Sequence, residues 1–374
     1  MKKCIVVSDS FKGTLSSQDI CRIARETVPA IFPDCELVCI PVADGGEGTV
    51  ACFVEAIGAV PVSVSVQGPY GEPVQAAYAR RDNQAIIEMA AAAGLPLVGQ
   101  QKDPERTSTY GVGQLIRHAV ENGCTSILLG LGGSATNDGG CGAAAALGTR
   151  FYKEDGTCFV PVGGTMDQIC RIDVSETRKL LEAVKITVMC DVENPLYGPQ
   201  GAAYIFAPQK GADPDMVQRL DNQLRALSGV LHSQLGCDLD QMAGAGAAGG
   251  MGAGCVAFFG AELRSGIEAV LDTVDFDRRL EGAGLVITGE GRIDSQSIRG
   301  KVISGVAKRT RGIPLLAIVG CIDESASEAY EMGVTAMFSI NREAEDFAQS
   351  APKSAANYRR TLEDVLRLVR AVER

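Results

Sequence analysis

The segment KCIVVSDSFKG, residues 3–13, is the strongest indication of the fold in the sequence. Its first half, Lys3–Val7, is a short apolar run, and its second half is polar, charged and closed by a glycine. A continuous apolar run of this length is typical of a strand buried on both faces of a parallel sheet. The sequence therefore predicts a buried strand that delivers Asp9 and Lys12 at its carboxyl end.

Outward from this strand the chain predicts a β-α-β unit. Ser16 or Ser17 is placed to cap a helix, and Pro29 and Pro33 are expected to end it. Glu36–Val42 is the next apolar run and predicts the second strand.

The same alternation returns further along the chain. Strands are predicted at Ser126–Leu131, Ile186–Cys190, Leu285–Thr288, Leu315–Val319 and Ala336–Ile340, with helices between them. Residues 60–88 differ, because their alternating runs and turn residues predict a hairpin in an antiparallel or mixed sheet. We therefore expect an α/β protein with a doubly wound parallel-sheet domain formed by residues 1–57 and 278–374. A second α/β domain with a mixed sheet, residues 58–277, is inserted in it, and the active site is expected in the cleft between them.

Composition excludes several classes of protein. The net charge of −11 over 374 residues argues against a nucleic-acid partner. The 13 cysteines include no CxxC pair, which favours reduced thiols in a reducing compartment over disulfides or zinc. The first apolar run is too short for a signal peptide, and the uncharged stretch Ala243–Ala261 is too rich in glycine for a good membrane span. A cytoplasmic, soluble protein is expected, and its only histidines, His118 and His232, argue against a histidine-based hydrolase.

The predicted strands share a second feature, which is that acidic residues and often glycines follow their carboxyl ends. This arrangement recurs at residues 8–13, 43–49, 132–140, 191–195, 288–295 and 320–323. Ligands of open α/β sheets bind outside these strand ends. Helix caps and turns explain any single loop equally well, but they do not readily explain all of them.

The residue types in these loops match phosphoryl transfer. Backbone N–H groups of glycine loops can bind phosphate oxygens, carboxylates can hold Mg²⁺, and Lys or Arg can neutralise the charge that develops. Zinc would require more Cys and His ligands. The segment 244–249 fits the dinucleotide pattern GxGxxG, but no strand is predicted before it, so a loop over ATP phosphates or a close helix-packing site is favoured over NAD binding.

At these loops the sequence resembles the glycerate kinase family, in its bacterial type that makes 2-phosphoglycerate. The resemblance is carried by DSFKGTLS (9–16), ADGGEGT (43–49), GGSATNDGG (132–140), CDVENPL (190–196), residues 244–252 and ITGEGRIDSQS (287–297). Ser8 stands where the family usually has proline. The resemblance implies a two-domain α/β fold with an inserted domain, ATP and Mg²⁺ as cosubstrates, and D-glycerate as the acceptor.

The motifs indicate which positions to consider, and residue chemistry suggests their roles. The catalytic candidates are Asp191, Lys12 and Arg292. The candidates for binding substrate or phosphate are Asp9, Ser10, Asp44, Gly45, Gly46, Glu47, Ser134, Asn137 and Lys301. The metal candidates are Glu290, Asp294 and Asp138. Which acid is the base and which holds the metal is left open, as are the oligomeric state and two alternative functions, an NAD-dependent oxidoreductase and a non-catalytic sugar-acid sensor.

Overall fold

The computed structural model describes residues 1–43, 45, 46, 48–294 and 301–373. These residues form two compact units. The first, called unit 1, contains residues 1–44, 51–58 and 266–374, and the second, unit 2, contains 45–50 and 59–265. The boundaries predicted near residues 57 and 278 stay predictions.

The strands are β1 (Lys3–Ser8), β2 (Glu36–Pro41), β3 (Val60–Gln67), β4 (Pro73–Arg81), β5 (Gln84–Glu88), β6 (Ser126–Gly130), β7 (Arg150–Tyr152), β8 (Cys158–Phe159), β9 (Arg171–Asp173), β10 (Lys185–Met189), β11 (Glu262–Arg264), β12 (Leu285–Gly289), β13 (Arg292–Ile293), β14 (Leu315–Val319), β15 (Cys321–Ile322) and β16 (Ala336–Ser339). The helices are α1 (Ser17–Ile31), α2 (Thr49–Ile57), α3 (Ala90–Ala93), α4 (Leu95–Val98), α5 (Tyr110–Glu121), α6 (Cys141–Leu147), α7 (Ser175–Leu180), α8 (Ala202–Phe206), α9 (Pro214–Leu235), α10 (Ala247–Phe259), α11 (Gly266–Thr273), α12 (Phe276–Leu280), α13 (Val302–Arg309), α14 (Glu328–Glu331), α15 (Phe347–Ser350) and α16 (Ser354–Val372).

Unit 1 is built on a five-stranded parallel sheet in the order β16-β14-β12-β1-β2. One face carries Val6, Ile287 and Ile318, which pack in one core with residues of α1 and α16. Successive side chains of a strand point to opposite faces, so Ile5 and Val286 lie on the other face, and they are also fully buried. The sheet is therefore covered on both sides, as the continuous apolar runs predict.

Unit 2 is built on a six-stranded sheet in the order β11-β10-β6-β5-β4-β3. Strands β5, β6, β10 and β11 are parallel, whereas β3, β4 and β5 pair antiparallel. The mixed sheet expected from residues 60–88 is therefore confirmed. Strands β7, β8 and β9 form a small separate antiparallel sheet.

Two details of the predicted helices are wrong. Helix α1 begins with a capping box at Ser16 and ends before Pro33, as expected, but it continues through Pro29 to Ile31. Proline removes one N–H donor near the end of the helix, and here the final turn still forms, because the N–H of Phe32 bonds to the carbonyl of Val28 at 2.8 Å. The three-and-four spacing of apolar residues also predicts a closing helix with an apolar face formed by Ala355, Tyr358, Leu362, Val365, Val369 and Val372. This face is too long at both ends, because Ala355 and Val372 of α16 are exposed.

No helix within the described residues is long and apolar enough to cross a membrane. The uncharged stretch around residues 243–261 folds instead as a glycine-rich loop and the buried helix α10, with non-helical backbone at 248–250.

Candidate active-site loops

The loops that follow β1 and β12 touch each other at the carboxyl edge of the unit 1 sheet. The N–H of Asp9 donates to the carbonyl of Gly289 at 2.9 Å, and the hydroxyl of Ser8 donates to the same carbonyl at 3.0 Å. One carboxylate oxygen of Asp9 accepts from the N–H of Ser10 at 2.6 Å. The parallel register thus brings together Asp9 and Ser10 with the start of the loop that carries Glu290.

The loop after β12 holds Arg292 between two acids. Its guanidinium lies 2.5 Å from the carboxylate of Asp323 and 3.9 Å from that of Asp294. This geometry arises because the short strand β13 pairs with β15. The pairing places the loop that carries Arg292 beside the loop that carries Asp323. The pKa of Asp323 is lowered to about 2 by the backbone N–H of Ser325 and by Arg292. Sequence reasoning noted Asp323 in its loop but missed its pairing with Arg292.

Glu290 and Arg292 differ in accessibility although they lie in the same loop. Glu290 is buried, with 4% of its surface exposed, whereas the side chain of Arg292 is 60% exposed. Asp294 is intermediate, at 26%. A buried carboxylate can bind a metal ion, and an exposed cation beside it can bind a phosphate.

Lys12 is exposed on a tight loop that closes on itself. Phe11 and Leu15 exchange backbone hydrogen bonds of 2.8 and 3.0 Å, and Gly13 supplies the left-handed turn with φ +78°. The loop lies close to the loop after β12, because a methyl group on Gly291 would be 3.4 Å from the backbone nitrogen of Lys12. Lys301 is exposed at the residue that precedes α13.

In unit 2, glycines allow two backbones to approach closely. The N–H of Gly132 donates to the carbonyl of Gly45 at 3.0 Å. A methyl group on Gly132 would lie 2.5 Å from the Cα of Gly46, and one on Gly130 would lie 2.3 Å from the carbonyl oxygen of Gly45. These glycines are therefore needed for packing between protein loops, a role that the sequence could not separate from phosphate binding. Asp44 and Glu47, which belong to the same motif, lie outside the described residues.

The loop that follows β6 carries three of the predicted site residues in buried positions. Ser134 is 6% exposed, and Asn137 and Asp138 are fully buried. The carboxylate of Asp138 accepts hydrogen bonds from the N–H and hydroxyl of Thr109, both at 2.8 Å, and from the N–H groups of Gly140 and Gly142 at 3.1 and 3.2 Å. Burial raises the pKa of Asp138, and these bonds oppose the shift. A carboxylate that already accepts this many bonds favours a structural role, and its predicted metal contact stays a prediction.

Asn137 differs from Asp138, because neither polar atom of its buried side-chain amide has a hydrogen-bond partner among the described residues. The N–H of Ala135 donates to Ala93 and the carbonyl of Ala135 accepts from Thr107, so the backbone on this side is held firmly. On the same loop the carbonyl of Thr136 accepts a bond of 2.6 Å from Lys210, a buried lysine that sequence reasoning missed. No local pattern marks Lys210, since its burial depends on contacts far away in the chain.

Asp191 lies two residues after the end of β10 and is exposed. One of its carboxylate oxygens accepts a hydrogen bond of 3.1 Å from the hydroxyl of Ser265, which follows the adjacent parallel strand β11. The prediction that Asp191 stands at the carboxyl end of a buried strand is therefore confirmed, and its chemical role stays a prediction.

The glycine-rich segment 244–250 packs against the protein itself. A methyl group on Gly249 would lie 2.1 Å from the carbonyl oxygen of Thr136, and one on Gly246 would lie 2.3 Å from that of Pro195. The residues before it do not form a strand. Of the alternatives that the sequence left open, close packing accounts for these contacts.

Magnesium, which the resemblance implies, requires oxygen donors. The described residues contain no group of three or more His, Cys, Asp or Glu side chains that could hold a metal ion. Mg²⁺ in kinases is commonly held by one or two carboxylates together with substrate phosphates, so it does not need such a cage. Glu290, Asp294 and Asp191 are oxygen donors of the required chemistry.

Comparison with known proteins decides the family. The model of the glycerate kinase family matches residues 4–370. The chain belongs to the glycerate kinase family. It is 46% identical over 343 residues to a Bacillus cereus protein named glycerate kinase, with 90% of each chain covered. It is 43% identical over 343 residues to an Escherichia coli protein named glycerate 2-kinase, again with 90% of each chain covered.

A solved structure agrees with the sequence comparison. The crystal structure of a putative glycerate kinase 2 from Salmonella typhimurium matches with a TM-score of 0.88 and 40% identity, covering 100% of this chain and 99% of that one. The predicted resemblance and fold class are therefore confirmed. The chain is a kinase that phosphorylates glycerate with a nucleotide as the second substrate, and this excludes the two alternative functions.

Proposed function

We propose that this kinase transfers the γ-phosphoryl group of ATP, in the presence of Mg²⁺, to the 2-hydroxyl of D-glycerate and releases 2-phosphoglycerate. The observation that carries the proposal is the 43% identity to a relative named glycerate 2-kinase. It is supported by the acids and cations that end the parallel strands of each unit.

Asp191 is the proposed acceptor of the hydroxyl proton. It is exposed at a strand end, and the bond from the hydroxyl of Ser265 orients its carboxylate. A carboxylate in this position can take a proton as the hydroxyl attacks phosphorus, which is the role of the catalytic aspartate in other kinases. The alternative role for Asp191 is that of a metal ligand.

In unit 1, Lys12 and Arg292 are the proposed partners of the phosphate oxygens, and Lys301, Asp9 and Ser10 are proposed as further contacts to substrate or phosphate. Arg292 is held in a defined orientation by Asp323, and an oriented guanidinium needs little reorganisation as charge develops. Glu290 and Asp294 would hold Mg²⁺, which neutralises charge on the phosphates when it is bound.

In unit 2, Asn137 is the proposed substrate contact of the loop after β6, together with Ser134. Its amide offers both a donor and an acceptor with no partner among the described residues. An amide can donate to an anionic oxygen and accept from a hydroxyl, which are the two groups of a hydroxy acid.

The test is ADP release by the purified protein. D-glycerate and MgATP should support roughly 1–100 turnovers per second, the range typical of kinases. Release should stop with EDTA and should be much slower with L-glycerate. Equal ADP release with and without D-glycerate, while another hydroxy acid is turned over, would contradict the substrate assignment.

A further inference from the structure

Lys210 is a buried cation that no part of the proposed mechanism uses. It ends the short helical turn Pro208–Lys210 after α8, and only 2% of its surface is exposed. Its ammonium donates one hydrogen bond, of 2.6 Å, to the carbonyl oxygen of Thr136. We find no second hydrogen-bond acceptor for it within the described residues.

A lysine is a costly residue to bury in this position. An ammonium has three N–H donors, and desolvation of an incompletely bonded charge is unfavourable. Burial accordingly lowers the pKa of Lys210 to about 7, although the charge of Asp138 favours the protonated form. Methionine has nearly the same length and would fill the same space without this cost. Packing alone therefore does not explain a lysine at residue 210.

What Lys210 does is hold the backbone next to Asn137. The carbonyl of Thr136 occupies a space that exists only because residue 249 is glycine, since a methyl group there would be 2.1 Å from the oxygen. The preceding carbonyl, that of Ala135, accepts from the hydroxyl of Thr107 at 2.9 Å. Lys210 thus completes a set of bonds that fixes the peptide units immediately before Asn137.

On the other side of Asn137 the backbone is equally constrained. The side chain of Asp138 is bonded to Thr109, Gly140 and Gly142, and the N–H of Gly139 donates to the carbonyl of Gly249 at 3.0 Å. Asn137 is the residue between these fixed points, and its own amide bonds to none of the described residues. The loop therefore orients the Asn137 amide, whose donor and acceptor could bind a ligand.

We propose that Lys210 is a positioning residue for glycerate phosphorylation, which fixes the peptide bond between Thr136 and Asn137 and thereby aims the Asn137 amide at the substrate. The inference rests on the proposed contact between Asn137 and the substrate. Loss of the Lys210 bond would let the amide shift, and misplacement of a contact by about 1 Å can cost on the order of 100-fold in rate.

The test compares Lys210→Met, Asn137→Ala and the double variant by steady-state kinetics and thermal melting. Lys210→Met should lower kcat/KM for D-glycerate about 10- to 100-fold while it melts at the wild-type temperature or above. The double variant should be no worse than Asn137→Ala alone, because both changes remove the same oriented amide. Lys102→Met is the matched control: this exposed lysine donates to the neighbouring carbonyl of Gln209 at 3.1 Å and should have wild-type kinetics.

Each of the following results would overturn the inference. Wild-type kcat/KM in Lys210→Met, with an impaired Asn137→Ala, would show that Lys210 does not position the amide. Independent, additive losses would show that it acts elsewhere. Wild-type kinetics in Asn137→Ala would show that the Asn137 amide does not contact the substrate, which would also contradict the positioning role of Lys210. If Lys210→Met does not fold, two other variants can be compared. Lys210→Gln keeps a hydrogen-bond donor without the charge and should retain more activity than Lys210→Leu. Equal activity of these two variants would also contradict the inference.

Discussion

The stability of the protein should depend on pH through Lys210, and replacing this residue by methionine should remove that dependence. In the unfolded chain the lysine has its usual pKa of 10.5, whereas in the folded protein burial lowers it to about 7. Between these two values the unfolded state binds more protons than the folded state. Stability therefore rises with pH in this window, and the cost of the buried charge is constant below pH 7, where both states are protonated.

The size of the effect follows from the shift. One pKa unit corresponds to about 1.4 kcal/mol, so the full cost of the buried charge is on the order of 5 kcal/mol. The attraction to Asp138 is already contained in this shift. Between pH 7 and 9 the wild type should gain about 2 kcal/mol relative to Lys210→Met. The variant also loses the bond to Thr136 and leaves a buried carbonyl unpaired, at a cost of about 1–3 kcal/mol, which reduces its net advantage at pH 7 to roughly 2–4 kcal/mol.

The assay is denaturant unfolding of wild type and variant at pH 7, 8 and 9. Taking the difference between the two proteins cancels the titration of all the other groups. Lys102→Met serves as the control, because this exposed lysine should give a difference that does not change with pH. Parallel stability curves for wild type and Lys210→Met over the whole pH range would contradict this prediction, since they would show that the ammonium is not held in a desolvated site.

Three further predictions test the site and its packing. Asp191→Asn and Glu290→Gln should each lower kcat by about 10²–10³-fold with little change in melting temperature, because the amide keeps the shape of the side chain; a large drop in melting temperature with normal kcat would mark them as structural. Lys12→Ala should raise KM for the nucleotide or lower kcat without a measurable loss of stability, because the side chain is exposed, and unchanged kinetics would return it to an ordinary surface role. Gly132→Ala should destabilise the protein by about 1–3 kcal/mol or more, because the added methyl group meets the backbone of Gly46. Gly229→Ala is the control: its methyl group meets nothing within 4 Å in the exposed part of α9, so this variant should be neutral or stabilising. Equal melting temperatures of the two variants would contradict the proposed packing role of Gly132.

Much of the fold could be predicted from the sequence because the parallel strands are continuous apolar runs. β14 was predicted to the residue, and β1, β12 and β10 differ from the prediction by only a residue or so at their ends. The mixed sheet of unit 2 was also predictable, since β3 and β4 alternate and are joined by a glycine- and proline-rich turn. Element ends were less predictable, as α1 and α16 show, because the last turn of a helix depends on what it packs against.

The site was predictable only in outline. The positions of Asp191 and Glu290 after strands could be predicted, and they are candidates because ligands bind at the carboxyl ends of parallel strands. Their roles stay predictions. The sequence could not show which glycines serve close packing rather than ligand binding, because Gly45, Gly132 and Gly249 contact residues that are distant in the chain. Lys210 was missed for the same reason, since its partner Thr136 lies 74 residues away and an isolated lysine usually indicates an exposed position.

Phosphorus NMR of the reaction product can show whether the chain phosphorylates the 2-hydroxyl of D-glycerate. Purified protein, ATP, Mg²⁺ and D-glycerate should give one new phosphomonoester signal as ADP accumulates. Its proton-coupled signal should be a doublet, because the phosphate of 2-phosphoglycerate is attached to a carbon that carries a single hydrogen. A triplet would identify 3-phosphoglycerate, whose phosphate is attached to a CH₂ group, and would contradict the proposed product.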